Sequence, residues 1–117
     1  MTFKFEKLDI WKLSMRYGKY IFQMSKHLPK NEMPNRTSQI NRAVDSFALN
    51  IAEGSIGQSN PEQKRFLSYS IRSVGEVVKC LYKLKARKYI DNDAFKQQYA
   101  KDETLIAKIQ TFKLKLN

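Results

Sequence analysis

Apolar residues recur along this chain at helical spacing, in four stretches separated by polar breaks. In the first, Ile10, Leu13, Tyr17, Tyr20, Ile21, Met24 and Leu28 share one side, and Lys12, Arg16, Lys19, Gln23 and Lys26 occupy the other. The pattern predicts a helix from about Asp9, a suitable N-cap, to His27, stopped by Pro29. A connector with two prolines, LPKNEMPNRTS, follows. The second stretch places Ile40, Ala43, Val44, Phe47, Ala48, Ile51 and Ala52 on one face. It predicts a helix from about Ser38 to Glu53, with Gly54 closing it in the left-handed conformation.

After a short SIGQS loop, Asn60 can cap a third helix. Pro61 stands at its first position and Gln63 can reach back to the cap. Leu67, Ser70, Ile71, Val74, Val77, Val78, Leu81 and Leu84 form the inner face, and the helix extends to about Lys88. Arg65, Arg72, Glu76, Lys79, Lys83 and Arg87 form the outer one. A tight link, YIDND, offers Asp91 or Asp93 as the next cap. The fourth helix runs from about Ala94 to Leu116, with Phe95, Tyr99, Ile106, Ile109, Phe112 and Leu116 facing in. Lys101, Lys108 and Lys115 recur every seven residues, and Asp102 falls close to the apolar stripe. No alternating strand pattern occurs. The expected fold is all-α, an antiparallel up-down-up-down four-helix bundle forming a single domain over residues 1–117. Only 3 prolines and 4 glycines interrupt the chain, in keeping with long helices.

Charge changes the picture from fold to partner. The net charge is +11, from 22 basic and 11 acidic residues. Residues 1–36 hold 8 basic and 3 acidic groups, residues 37–78 hold 4 of each, and residues 79–117 hold 10 and 4. Both ends are therefore basic and the middle is neutral. The row Lys12, Arg16, Lys19, Lys26 has no acid beside it from Lys12 to Lys30. Ordinary solvated helix faces mix signs. An acid-free row suits phosphates without conferring base specificity. Arg72, Lys79, Lys83 and Arg87 on the third helix and Lys101, Lys108 and Lys115 on the fourth extend the candidate surface. Tyr69, Tyr82 and Tyr89 are candidates for stacking on bases, or equally for packing. Positive charge kept for solubility is the competing explanation.

Catalysis has little to draw on. His27 is the only histidine and Cys80 the only cysteine, so neither an internal disulfide nor a metal site is expected. GSIG lacks both the lysine and the preceding strand of a phosphate loop. No cofactor and no enzymatic activity are expected. No apolar run reaches the roughly 20 residues of a membrane span, and the N-terminal residues lack the apolar core of a signal peptide. The expected location is the cytoplasm. Leu49 points away from the inner face, Ile56 falls in the adjoining loop, and Trp11, Met15 and Phe22 widen the apolar side of the first helix. This surplus suits either subunit contacts or a broad core face.

QINRAVDSFALNIAEG, followed by PEQKRFLSYSIRSVGE, resembles the four-helix-bundle proteins encoded by intervening sequences in bacterial 23S ribosomal RNA genes. Gln39, Arg42, Ala43, Ser46 and the run Asn50, Ile51, Ala52, Glu53, Gly54 match that family's pattern, as do Phe66, Leu67, Ser73 and Glu76. Phe5, Leu8 and Trp11 match its F-x-x-L-x-x-W entry. Arg72 departs from it, standing where the family prefers glycine. The resemblance implies a homopentameric ring that binds ribosomal RNA or another nucleic acid. A similar basic, pentameric bundle is the accessory variability protein of diversity-generating retroelements, which associates with nucleic acid and a reverse transcriptase. The alternative it suggests is a protein-interaction adaptor without strong RNA affinity of its own.

Helix geometry gives the motif a physical reading. Gln39, Arg42, Ser46, Asn50 and Glu53 make a polar stripe beside the apolar face of the second helix. Antiparallel packing against the third helix would set Ser46 near Ser70, and Arg42 near Ser73 and Glu76. The expected outcome is a polar seam that fixes helix register, with an Arg42–Glu76 pair. Asn50 and Glu53 would bond backbone groups at the loop and at the start of the third helix.

Overall fold

The spacing of the buried residues decides how the helices meet. In the computed structural model, which describes residues 2–57 and 59–116, the long elements are α1 (Asp9–Ser25), α2 (Ser38–Ile56), α3 (Asn60–Ala86) and α4 (Asn92–Leu114). Of the nine buried residues of α3, Gln63, Leu67, Ser70, Val74, Val77, Leu81 and Leu84 follow alternating steps of four and three, with Ser73 and Cys80 flanking that line. That is the spacing of helices that cross at a shallow angle and interdigitate side chains. Ile10, Tyr17, Ile21, Ile40, Val44, Phe47, Ile51 and Ile109 complete one core shared by all four helices.

Contacts along each pair show that sequential neighbours run antiparallel. Asn41 Nδ2 donates to Ser25 Oγ at 3.0 Å between α2 and α1. Ser70 Oγ donates to the Phe47 carbonyl at 3.0 Å between α3 and α2. Lys113 Nζ donates to Ser68 Oγ at 2.7 Å between α4 and α3. Lys101 against Tyr20 brings α4 back beside α1. The bundle is thus up-down-up-down, as the periodicity predicts, and its long axis of 44 Å matches the length of α3.

Several ends differ from the sequence reading. Leu8, not Asp9, occupies the N-cap of α1 and makes no side-chain cap, and the helix stops at Ser25, before His27. A 3₁₀ turn (Lys4–Lys7) precedes it, with the Phe5 ring edge-on to Trp11 at 5.0 Å. A π-helical turn (Met33–Thr37) leads directly into α2. The helix then continues past Gly54 to Ile56, so Ile56 is helical, and Gly57 ends it in an extended conformation. Ser59 caps α3, accepting from the Glu62 amide at 3.2 Å, which puts Asn60 inside the helix. The Gln63 side chain is buried without a partner for its Nε2 instead of reaching back to the cap. α3 ends at Ala86, with Lys88 left-handed at φ 63° and the Tyr89 amide bonded to the Leu84 carbonyl at 3.0 Å. This is a Schellman closure with lysine where glycine is usual. Asp91 caps α4, accepting from the Ala94 amide at 2.7 Å.

Gly54 does a different job from the one its position in the sequence suggests. A Cβ on it would meet the Phe66 Cβ at 2.9 Å and the Gln63 carbonyl oxygen at 3.3 Å. The residue lets α2 and α3 converge where the short link joins them. Between α1 and α2, a Cβ on Gly18 would meet Val44 Cγ1 at 2.9 Å.

Candidate nucleic-acid interface

The fold sorts the basic residues into separate surfaces. On α1, Lys12, Arg16, Lys19 and Lys26 are all exposed, as the polar side of the helix requires. They do not line a single groove. Arg16 leans toward α4, whereas Lys19 lines the groove between α1 and α2. The Lys26 ammonium lies 4.8 Å from the centre of the Phe22 ring.

Arg16 meets Lys101 and Lys108 across the α1–α4 contact. These residues rim an open cleft of about 260 Å³, with Leu13, Tyr17, Tyr20, Thr104 and Leu105 also lining it. A second cleft of about 300 Å³ continues past Tyr20 toward His27, Gln97 and Gln98. Tyr20 belongs to both, so the two clefts adjoin along the α1–α4 pair, here called the furrow. The Lys101 Nζ sits 3.4 Å from the centre of the Tyr20 ring, a cation–π contact that covers one face of the ring, and Tyr20 as a whole residue is 43% exposed. Among the described residues, none of those lining either cleft is acidic.

One acid does lie beneath the furrow. Asp102 is 1% exposed, and neither of its carboxyl oxygens has a hydrogen-bond partner among the described residues. The Tyr17 hydroxyl is buried beside it, near enough to influence the carboxyl but short of good hydrogen-bond geometry. Burial pushes the Asp102 carboxyl up to about 7, while Tyr17 and the Lys101 ammonium pull in the other direction. Burial, and then the Asp102 carboxylate, raise the Tyr17 hydroxyl above its ordinary range. The raised carboxyl weakens the negative charge of Asp102 beside a cationic rim.

The set of α4 shows why Asp102 is buried. Its buried residues are Phe95, Gln98, Asp102, Leu105 and Ile109, again in steps of three and four. Tyr99, Ile106, Phe112 and Leu116, expected to face in, are only half-buried. The helix is rotated so that two seam positions are polar.

The remaining cations point elsewhere. Arg65 and Arg72 are exposed on α3, and the Arg72 guanidinium lies 5.9 Å from the centre of the Tyr69 ring. Lys79 pairs with Glu76 at 3.3 Å, both well exposed. Lys83 lines the α2–α3 groove. Arg87 and Lys115 are exposed at the C-terminal ends of α3 and α4, where cations complement the helix dipole.

The polar seam exists, but with different partners. Ser73 Oγ donates to Ser46 Oγ at 3.1 Å, and Ser70 bonds the Phe47 carbonyl, so short hydroxyls set the register. Asn50 Nδ2 donates to the Ser46 carbonyl at 2.9 Å and to Ser46 Oγ at 3.2 Å within its own helix, not to the loop. Arg42 bonds Ser38 Oγ at 3.2 Å instead of Glu76, which is taken by Lys79. Arg42 and Glu76 do share the walls of one groove with Gln39. Glu53 is exposed, with no hydrogen bond or ion pair among the described residues. Long charged side chains reach nearby partners on their own helix and water more cheaply than they cross a seam.

Two of the candidate stacking tyrosines are exposed, Tyr82 by 53% and Tyr69 by 38%, and each has an aromatic neighbour. Tyr82 packs edge-on to Phe95 at 4.8 Å, Tyr69 edge-on to Phe66 at 5.6 Å, and Tyr89 is half-buried against the core. Tyr20, assigned to the core from its periodicity, is the exposed ring in the cationic furrow.

Among the described residues, no group of three or more His, Cys, Asp or Glu could hold a metal ion. No described helix is long and apolar enough to cross a membrane. Cys80 is buried, and burial raises its thiol above the ordinary range, so it is a poor nucleophile.

Residues 6–111 match the model of the family described as 23S rRNA-intervening sequence protein, and the chain belongs to that family. Among solved structures it is similar to a protein of unknown function from the S23 ribosomal protein family of Bacteroides thetaiotaomicron. The TM-score is 0.79 at 20% identity, covering 88% of this chain and 96% of that one. This likeness concerns the fold. No curated protein matches the chain.

Proposed function

We propose that this 23S rRNA-intervening sequence protein binds structured RNA in the cytoplasm, without catalysis, as a homo-oligomeric ring. The observation that carries the reading is the meeting of Arg16, Lys101 and Lys108 on one furrow with no acidic residue lining it. A net charge of +11 supplies the long-range attraction. The family's name links it to ribosomal RNA genes, which favours RNA over DNA.

Assembly follows from the resemblance, which implies five subunits, and from apolar surface that the core does not use. Met15 and Phe22 are exposed one heptad apart on α1, and Leu49 and Ile56 are exposed one heptad apart on α2. In a ring each furrow is repeated, so modest contacts multiply through effective concentration.

The test is fluorescence anisotropy with a labelled stem-loop RNA at about 50 and about 200 mM salt. Affinity should fall steeply between the two, by roughly 0.7–0.9 in the log–log slope for each phosphate neutralised. If no RNA binds at the lower salt, the charge serves solubility and the adaptor reading takes first place.

A further inference from the structure

We infer that the α1–α4 furrow accepts an unpaired RNA strand, with a base stacked on Tyr20 and phosphates held by Arg16, Lys101 and Lys108. The inference rests on the RNA-binding reading and names the form of RNA and the residue that distinguishes it.

Its cross-section carries the argument. The rim is cationic, but the floor is largely apolar, formed by Leu13, Leu105 and the Tyr17 and Tyr20 rings. A duplex shows phosphates outward and keeps its bases stacked inside, so it could use the rim and leave the floor empty. An unpaired strand has both faces to offer, and combined cationic grooves and aromatic platforms are how proteins hold such strands. Unpaired loops and bulges are also where structured RNA exposes its bases.

Tyr20 is suited to the platform by position. It stands in the middle of the furrow, between the cationic half near Arg16 and the uncharged half lined by Gln23, Gln97 and Gln98. Tyr20 is part-exposed on a regular stretch of α1, which fixes the direction of its Cα–Cβ bond toward the furrow. The Lys101 ammonium lies over the ring in the free protein. A flexible lysine can swing from the ring to a phosphate, opening the ring face to a base as it does so. The amides of Gln97 and Gln98 lie farther along, and the buried Gln98 Oε1 has no hydrogen-bond partner. It can accept from an exocyclic amino group of a base.

An acidic amphipathic peptide would also match an apolar floor with a cationic rim. The lining favours RNA because it places one flat ring under a cation instead of presenting a row of aliphatic pockets at helical spacing.

The test compares a fluorescein-labelled oligoadenylate of about 12 nucleotides with an equally labelled G–C-rich RNA duplex of about 12 base pairs, at about 50 mM salt. Wild type should bind the single strand more tightly. Tyr20→Ala should weaken single-strand binding about tenfold or more while leaving duplex binding unchanged, and Tyr20→Phe should bind as wild type does. Thermal melting of each variant confirms that the exposed ring can be removed without unfolding. If Tyr20→Ala binds the single strand as wild type does, or loses both ligands equally, the stacking inference is overturned and RNA binding stands. Failure of both oligonucleotides to bind while the stem-loop RNA binds overturns the stacking inference alone; failure of all three, whether or not an acidic amphipathic peptide binds in their place, overturns both readings.

Discussion

Gly54 of α2 lies so close to Phe66 of α3 that a methyl group on the glycine would sit 2.9 Å from the Phe66 Cβ. The neighbour is a backbone-anchored carbon, not the tip of a flexible side chain, so the helices themselves must move to admit it. Gly54→Ala should therefore destabilise the fold. Overpacking costs about 1–3 kcal/mol, offset by about 1 kcal/mol from better helix propensity. Gly75 offers the control, since a Cβ there meets nothing within 4 Å. Gly75→Ala should raise stability by up to about 1 kcal/mol. Thermal melts should show the two substitutions moving the midpoint in opposite directions. A rise for Gly54→Ala would refute the close-approach account of the NIAEG glycine.

Asp102 predicts an unusual pH dependence. Its folded value of about 7 lies above the ordinary 3.8, so the native chain keeps a proton that the unfolded chain has released. Stability should fall as pH rises between those values, and the full penalty, a few kcal/mol, is present above about 7. Asp102→Asn removes the ionisation at nearly constant shape. The variant should match wild type near pH 4 and exceed it near pH 8, read by urea denaturation across that range. An unchanged pH slope in the variant would place the titrating group elsewhere.

These two residues also show what the sequence could and could not disclose. The periodicity of α1, α2 and α3 was legible because their seams are dominated by aliphatic side chains. α4 was misaligned because two of its five seam positions, Gln98 and Asp102, are polar, which pulled the expected inner face toward Tyr99 and Ile106. The start of α3 was ambiguous because serine and asparagine are equally good caps and proline suits either of the next two positions. The polar seam was legible where it uses serines, whose short reach ties contact to register. It failed for Arg42 and Glu76, which found partners on their own helices. The furrow was not legible at all. It depends on how α4 lies against α1, a relation between the two ends of the chain that no local pattern records, and so Tyr20 was counted as core.

Oligomerisation can be tested on the outer side of α2. Leu49 is 63% exposed and makes no contribution to the core, so Leu49→Lys should leave the monomer folded. Size-exclusion chromatography with light scattering should give a mass well above 13.8 kDa for wild type and a lower one for the variant. A wild-type mass equal to the monomer at micromolar concentration would remove the ring from the proposal.

The final prediction separates a built site from mere positive charge. The triple variant Arg16→Glu, Lys101→Glu, Lys108→Glu reverses the furrow rim. The triple variant Lys12→Glu, Lys19→Glu, Lys26→Glu reverses the same number of exposed charges on α1 away from it. Both change net charge equally, so any long-range effect on encounter is shared. If phosphates sit at the furrow, the first variant should lose binding to the stem-loop RNA at about 50 mM salt, while the second retains most of it. Milder neutralisation of the rim to glutamine should lower the salt slope by about 2–3, for three lost phosphate contacts. Circular dichroism should show both triples folded, because every altered side chain is exposed. Equal loss in the two triples would mean that binding follows net charge alone, and the furrow would then have no claim over the other basic faces of α1 and α3.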